Sequence, residues 1–276
     1  MTPEKLDIPP ADTVKKSPRL APSYGEQIFA IADVEFRKMW RDPTEIFSRS
    51  VQPVLWLLIF GQVFGKLRDI PTGGLSYLAF MAPGILAQSV LFSAIFFGIG
   101  VIWEKDMGVI HKLLVSPAPR SALVLGKALS SGIRGLVQAV IVYLTAFLLH
   151  IELNIDLIHI LGVLVAVVLG SAIFSTFSLI IACWVKSRER FMGVGQVLTM
   201  PLFFASSAIY PISMMPDWLK VVARVNPLTY LVDAMRTLMI HGAQSVEGLT
   251  MDFAIMTLFF VVFVCVATRL YPNLVR

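Results

Sequence analysis

The residues from which chemistry could be built are few, and most lie inside apolar stretches. Gln62, Gln88, Gln138 and Gln196 sit there with a scatter of Ser and Thr; in an apolar surrounding such groups serve mainly to hydrogen-bond one helix to another. Cys183 and Cys265 have no His or Asp beside them, so neither a disulfide framework nor a metal site is suggested. His111 has no second ligand at a metal-binding spacing. Gly-Lys occurs as Gly65-Lys66-Leu67 and Gly126-Lys127-Ala128. Neither continues into the Ser or Thr of the phosphate-cradling loop G-x-x-x-x-G-K-[ST], so the chain is not expected to hold ATP in that way or to be an enzyme. An ion-driven carrier needs carboxylates near the middle of its apolar helices, or broken-helix cages. The centres of the apolar runs contain no ionisable residue. If the chain does active work, energy must arrive through a polar contact with another polypeptide.

The elements that position these residues are set by composition. Of 276 residues, 57% are hydrophobic and 15% charged, with mean hydropathy +0.77, against roughly 25% charged in a soluble domain. An all-α integral membrane protein follows. At about 20 apolar residues per crossing, six spans are expected, near 46–65, 76–102, 130–151, 158–185, 191–210 and 251–268. Residues 1–23, rich in Pro, Lys and Asp, read as a disordered cytosolic tail. Over 24–41 an amphipathic helix is expected along the membrane surface: Tyr24, Ile28, Ile31, Ala32, Phe36, Met39 and Trp40 form one face, with Gln27, Asp33, Arg37, Lys38 and Arg41 mostly opposite. Asp42-Pro43-Thr44-Glu45 then starts a new helix, with a capping carboxylate, a proline in the first turn and a following glutamate. Pro216-Asp217-Trp218-Leu219 and Asn226-Pro227 start two short helices within 211–241, and this outer hairpin is expected to be re-entrant or interfacial.

Charge orients the chain. Of the 23 Lys and Arg, only Lys66, Arg68, Lys220, Arg224 and Arg236 fall on the side opposite the N terminus. Positively charged loops stay inside, so both termini are expected in the cytosol. The net charge of +5 then reflects topology rather than nucleic-acid binding.

The segment 103–115 is the obvious cytosolic contact. Met107, Ile110, Leu113 and Leu114 share a helical face beside Glu104, Lys105, Asp106 and Lys112, and a helix ending near Ser116-Pro117 is predicted. It could dock in a groove on a partner or pack on its own bundle.

Three blocks resemble the type-2 membrane permeases of ATP-binding-cassette (ABC) exporters. Phe36-Arg37-Lys38-Met39-Trp40-Arg41-Asp42-Pro43 is similar to the family's interface helix. Glu104 to Pro119, followed by Leu125-Gly126-Lys127, is similar to its coupling helix. Tyr210-Pro211-Ile212, Met215-Pro216-Asp217-Trp218-Leu219, Asn226-Pro227-Leu228-Thr229-Tyr230 and Asp233-Ala234-Met235-Arg236 resemble the signature before the last span. The wording Asn-Pro-Leu-Thr-Tyr and Val-Asp-Ala-Met-Arg leans towards the daunorubicin and antibiotic-resistance branch.

The resemblance spans about Ala30 to Arg269 and implies a permease subunit in the cell membrane. Two copies would pair and bind two separate ATPase subunits, which hold ATP and Mg; this chain would carry no cofactor of its own. Trp103, Glu104, Lys105, Asp106, Met107, Gly108, Ile110, Leu113 and Leu114 would contact the ATPase. Phe36, Arg37, Trp40, Arg41 and Asp42 would belong to the interface helix. Tyr210, Pro211, Pro216, Trp218, Asn226, Pro227, Tyr230, Asp233 and Arg236 would form the outer gate. The expected cargo is apolar or amphiphilic, a drug, a lipid or a lipid-linked molecule, and its path has no evident charged lining. Polysaccharide or glycolipid export by the same family is the alternative, and an ion-coupled carrier or channel a more distant one.

Overall fold

The computed structural model describes residues 23–41, 43–64, 72–115, 118–185 and 187–274. The tail before residue 23, Asp42, the Lys66 and Arg68 that close the expected first span, Ser116-Pro117 and Lys186 lie outside them. The described residues are helical, apart from turns and one isolated antiparallel bridge between Leu153 and Ile240.

Helix α1 (Tyr24–Arg41) is followed by α2 (Pro43–Leu55), a π-helical turn (Trp56–Phe60) and α3 (Gly61–Phe64). Leu55 and Gly61, which flank the π turn, both keep right-handed helical angles, so 43–64 is one interrupted rod. Helix α4 (Tyr77–Asp106) follows. Ser76 caps it by accepting from the Ala79 amide. Then come α5 (Val109–Val115), α6 (Arg120–Leu148), α7 (Leu157–Trp184), α8 (Arg188–Phe204), α9 (Asp217–Val225), α10 (Pro227–Met239) and α11 (Leu249–Leu270). Of these, α4, α6, α7 and α11 are long and apolar enough to cross a membrane. The chain is a multi-pass membrane protein. Helix α8, with 17 residues, is about 25 Å long and falls short of the ~30 Å hydrocarbon core.

Two expected boundaries move. Trp103–Asp106 is the last turn of α4 rather than the first turn of a separate helix. The break falls at Met107-Gly108, where Gly108 has φ +71°, a conformation that side chains other than glycine's rarely adopt. The second change concerns the third expected span, 130–151, whose helix already begins at Arg120. Arg134 therefore lies midway along α6 rather than near its start.

Helices α4 and α7 form the centre. Both are apolar nearly all round, which in a soluble protein would mark a wholly enclosed helix; here lipid covers what neighbours do not. The larger apolar core runs through Met81, Ile85, Leu86, Leu91, Val167, Phe174, Leu231 and Met235, from α4, α7 and α10. A second, at the other end, gathers Val101, Ile102, Ile110, Leu123, Leu179, Phe191 and Tyr271.

Gly84 is where α4 passes the turn after α8: a methyl there would lie 2.7 Å from Ala208 Cα and collide with its carbonyl. Overpacking of this kind costs about 1–3 kcal/mol. Gly84→Ala is therefore expected to lower the thermal midpoint of the detergent-purified protein, and an unchanged midpoint would refute this account of the contact.

Candidate functional site: a buried ionic network at one end of the bundle

The residues singled out at 103–115 do not form one exposed strip. Glu104 is buried, with its carboxylate between two ammonium groups: Lys127 Nζ at 2.6 Å and Lys38 Nζ at 2.8 Å. Lys38 also reaches Glu35 at 3.1 Å, Lys127 lies 3.8 Å from Glu35, and Arg134 Nη2 stands 3.4 Å from the other Glu35 oxygen. Lys127 is 3% exposed. Its ammonium and the Arg134 guanidinium lie over the Phe97 ring, at 5.6 and 4.9 Å from the centroid, a cation–π arrangement that stabilises charge where water is scarce. Three helices are joined here: α1 through Glu35 and Lys38, α4 through Glu104, and α6 through Lys127 and Arg134.

The sequence placed these charges by number but not by direction. Glu35 belongs to the buried stripe of α1, with Ala32 and Met39, whereas the expected apolar face included Phe36 and Trp40. Those two rings are exposed and lie 6.1 Å apart. Arg37 pairs with Asp33 at 2.8 Å on the outer face, and Arg41 is exposed.

A second clamp ties the end of α4 to the start of α8. Arg188 donates to one Asp106 oxygen through Nη2 at 2.8 Å and Nε at 3.1 Å, and its guanidinium covers the Trp103 ring at 3.9 Å. Lys105 is half-buried and Met107 exposed. Ile110 is fully buried in the chain's own core, and the half-buried Leu113 packs against that core. Among the described side chains of 103–115, Trp103, Asp106, Met107, Lys112 and Val115 are exposed. The Leu114 side chain is outside the described residues.

Lys38 is the cation that α1 contributes to the network. Burial works against its charge, but the hydrogen bond and charge of Glu104, then those of Glu35, outweigh it and raise its pKa above the usual 10.5.

At the other end, the expected hairpin splits into two unlike helices. α9 buries only Ala223 and leaves Trp218, Val221, Val222 and Val225 exposed, while α10 is enclosed along nearly its whole length. Asn226 fixes the corner: its Oδ1 accepts from the Leu228 amide at 3.0 Å, and its Nδ2 donates to the carbonyls of Leu202 at 2.7 Å and Ala205 at 3.0 Å. Pro227 fills the next position, where its missing N–H costs nothing.

Tyr210 donates to the Phe204 carbonyl, and Tyr230 to that of Arg224 at 2.6 Å. Arg236 is buried under the turn after α8, donating to the carbonyls of Ser207 at 2.5 Å and Phe80 at 3.3 Å. Pro211 borders a cleft that Asp233 and Arg236 also line; Pro216 is exposed at the start of α9.

Sequence reasoning missed Asp252. It is completely buried near the start of α11, its Oδ2 accepting from Ser245 at 2.8 Å. The same hydroxyl lies 3.1 Å from Asp233 Oδ2, and with one proton it serves one carboxylate at a time. An acid one turn inside an apolar helix was the available signal. The centres of the long apolar helices remain without a charge, with the exception of Arg134 on α6.

Long apolar helices, with an ionic junction at one end and a capped helical corner at the other, mark a multi-pass membrane protein. Residues 26–240 match the ABC-2 type transporter family, and the chain belongs to it. It is 29% identical over 222 residues to "Putative transport permease ycf38" of Cyanophora paradoxa, covering 79% of this chain and 76% of that one. It is 26% identical over 203 residues to "Probable doxorubicin resistance ABC transporter permease protein DrrC" of Mycobacterium tuberculosis, covering 73% and 72%. To "Inner membrane transport permease YadH" of Escherichia coli it is 24% identical over 251 residues, covering 83% and 91%. The chain is a transport permease subunit of an ABC transporter, and its family implies a partner subunit that binds ATP.

Removing one member of a buried ion pair strands the other at a cost of about 3–5 kcal/mol. Glu104→Leu is expected to cut stability by that order, and adding Lys127→Met to recover most of it. Thermal unfolding of the three proteins checks this; a double variant as weak as the single one would contradict it. Lys38 is half exposed, so Lys38→Met should cost less than about 1 kcal/mol. Because its folded-state pKa is raised, that contribution is fully present below pH 10.5 and is lost as pH climbs past it. The thermal midpoints of wild type and Lys38→Met should differ at pH 7 and converge above pH 10.5.

Proposed function

We propose that the chain is the permease of an ATP-driven exporter that moves an apolar or amphiphilic cargo outward across the cell membrane. It does so as a pair of copies bound to two ATPase subunits, with both termini cytosolic. In this reading 43–64 and α8 complete six spans, the first despite its π turn and the second by continuing into the turns beyond Phe204. The corner formed by α9 and α10 is the re-entrant hairpin that narrows the outer exit.

The single observation that carries the proposal is the double clamp at the end of α4. With 30 residues, α4 is about 45 Å long and overreaches the ~30 Å apolar core of a bilayer, so its last turn and α5 stand in the cytosol. A push on the exposed Trp103, Met107 and Val115 passes to α1 and α6 through Glu104 and to α8 through Asp106. Rigid ionic joints of this kind let a partner's motion move whole helices rather than one loop.

The doxorubicin resistance named for the mycobacterial relative supports the drug-like end of the cargo range. The chain alone is expected to hydrolyse no ATP, and reconstitution with its ATPase to restore hydrolysis. Arg188→Ala should keep ATP hydrolysis within about threefold of wild type while lowering transport about tenfold or more, by loosening the charge-assisted clamp that passes on the motion. Hydrolysis by the lone chain, or cargo accumulation without an ATPase, would overturn the proposal.

A further inference from the structure

Helix α11 is enclosed by its neighbours mainly towards its two ends. Of its 22 residues, Asp252, Met256 and Ala267 are buried, and none of the ionic joints at the end of α4 involves it. Beyond Leu270 the chain makes one 3₁₀ turn, Tyr271–Leu274. Both end residues of that turn are wholly enclosed, and Tyr271 is the largest side chain so enclosed among the described residues. They enter the apolar cluster that also holds Ile102 of α4, Ile110 of α5, Leu179 of α7 and Phe191 of α8. The Tyr271 hydroxyl is buried without a hydrogen-bond partner, which costs free energy and is unusual for a buried tyrosine. The ring is therefore held for its volume. It plugs the core in which α5 is seated.

The other end of α11 is tied by polar contacts. Asp252 accepts from the Ser245 hydroxyl at 2.8 Å, and that hydroxyl also lies 3.1 Å from Asp233 of α10. The Val246 amide donates to the same Asp233 oxygen at 2.8 Å, and the Gly248 amide to Ser245 Oγ at 2.7 Å. The strap from α10 to α11 is thus pinned to both helices. Lipid offers the apolar flank of α11 no lateral hold that another helix would not, so the two ends fix where this stiff element, about 33 Å long, sits.

We propose that α11 is a connecting rod between α5 and the α9–α10 corner. Tyr271 and Leu274 are the positioning residues at the α5 end, and Asp252, acting through Ser245 on Asp233, is the one at the other. A displacement of α5 then reaches α10 by a route separate from the ionic clamps, which lead to α1, α6 and α8. This rests on the permease reading and deepens it, by naming how the far corner is controlled from the coupling segment.

The test is hydrogen–deuterium exchange, read by mass spectrometry, on the full chain reconstituted with its ATPase, with and without trapping by ATP and vanadate. Trapping is expected to change exchange both in 109–115 and in 227–248 of the wild type. In Tyr271→Ala the response of 227–248 should fall about fivefold or more, the low end of ordinary coupling between sites, while that of 109–115 persists. Tyr271→Phe should behave as wild type, because it keeps the ring and loses only an unpaired hydroxyl. If Tyr271→Ala does not fold, Ser245→Ala parts the rod at its other end, in a half-buried turn residue, and should give the same loss with the plug intact.

A loss in Tyr271→Phe equal to that in Tyr271→Ala would place the effect in the hydroxyl and overturn the role assigned to the ring. Faster exchange throughout α4, α6 and α7 in Tyr271→Ala would mark general loosening of the bundle and overturn the assignment. A response of 227–248 that survives both Tyr271→Ala and Ser245→Ala overturns this inference alone and leaves the permease reading standing. No complex with an ATPase, or no response of 109–115 in the wild type, sinks the permease reading and the rod with it.

Discussion

The buried pair between Lys127 and Glu104 is the interaction on which one end of the bundle depends. Two charges are removed from water where the chain leaves lipid, and burial is tolerated because each carboxylate oxygen of Glu104 meets an ammonium. A buried ion pair seldom adds net stability over well-packed apolar residues, but it penalises every arrangement in which a partner is missing. Here it fixes the end of α4 against α6 and, through Lys38 and Glu35, against α1. Apolar packing alone would let these helices slide, since lipid is as good a surrounding for Leu as another helix.

That constraint explains why the long helices can be so nearly featureless. α4 and α7 carry little amphipathic signal, and their mutual register is set by close approach and a few polar contacts, among them the Ser178 hydroxyl donating to the Ile95 carbonyl. The opposite end is fixed by backbone carbonyls rather than charge pairs. Arg236 and Asn226 together bind the carbonyls of Leu202, Ala205 and Ser207, freed where α8 ends, and Arg236 also reaches the Phe80 carbonyl of α4. One end of the bundle is thus held by paired charges, the other by a capped turn.

Much of the fold was legible because burial in lipid demands long apolar runs, and helix starts demand particular residues. Asn226-Pro227 and Ser76 announce their helices locally. Less legible was the direction of side chains on α1, where Glu35 is buried against the bundle beside an exposed Phe36. Hydrophobicity set Phe36 on the same face as Ala32 and Met39; the bundle buries those two with Glu35, which the cations of α6 and α1 claim, and leaves Phe36 exposed. Ile110 was legible as an apolar residue on a helical face, but whether that face meets a partner or its own bundle depends on where α5 folds back after Gly108.

By itself the sequence determined that the chain lives in lipid, that it is helical, and that it has no phosphate-cradling loop of its own, because each of these follows from local composition or a contiguous motif. Only the tertiary structure decided which charges meet. Glu35, Lys38, Glu104, Lys127 and Arg134 are separated by up to 99 positions, and no local pattern records a contact across that distance. Their convergence depends on how α1, α4 and α6 cross.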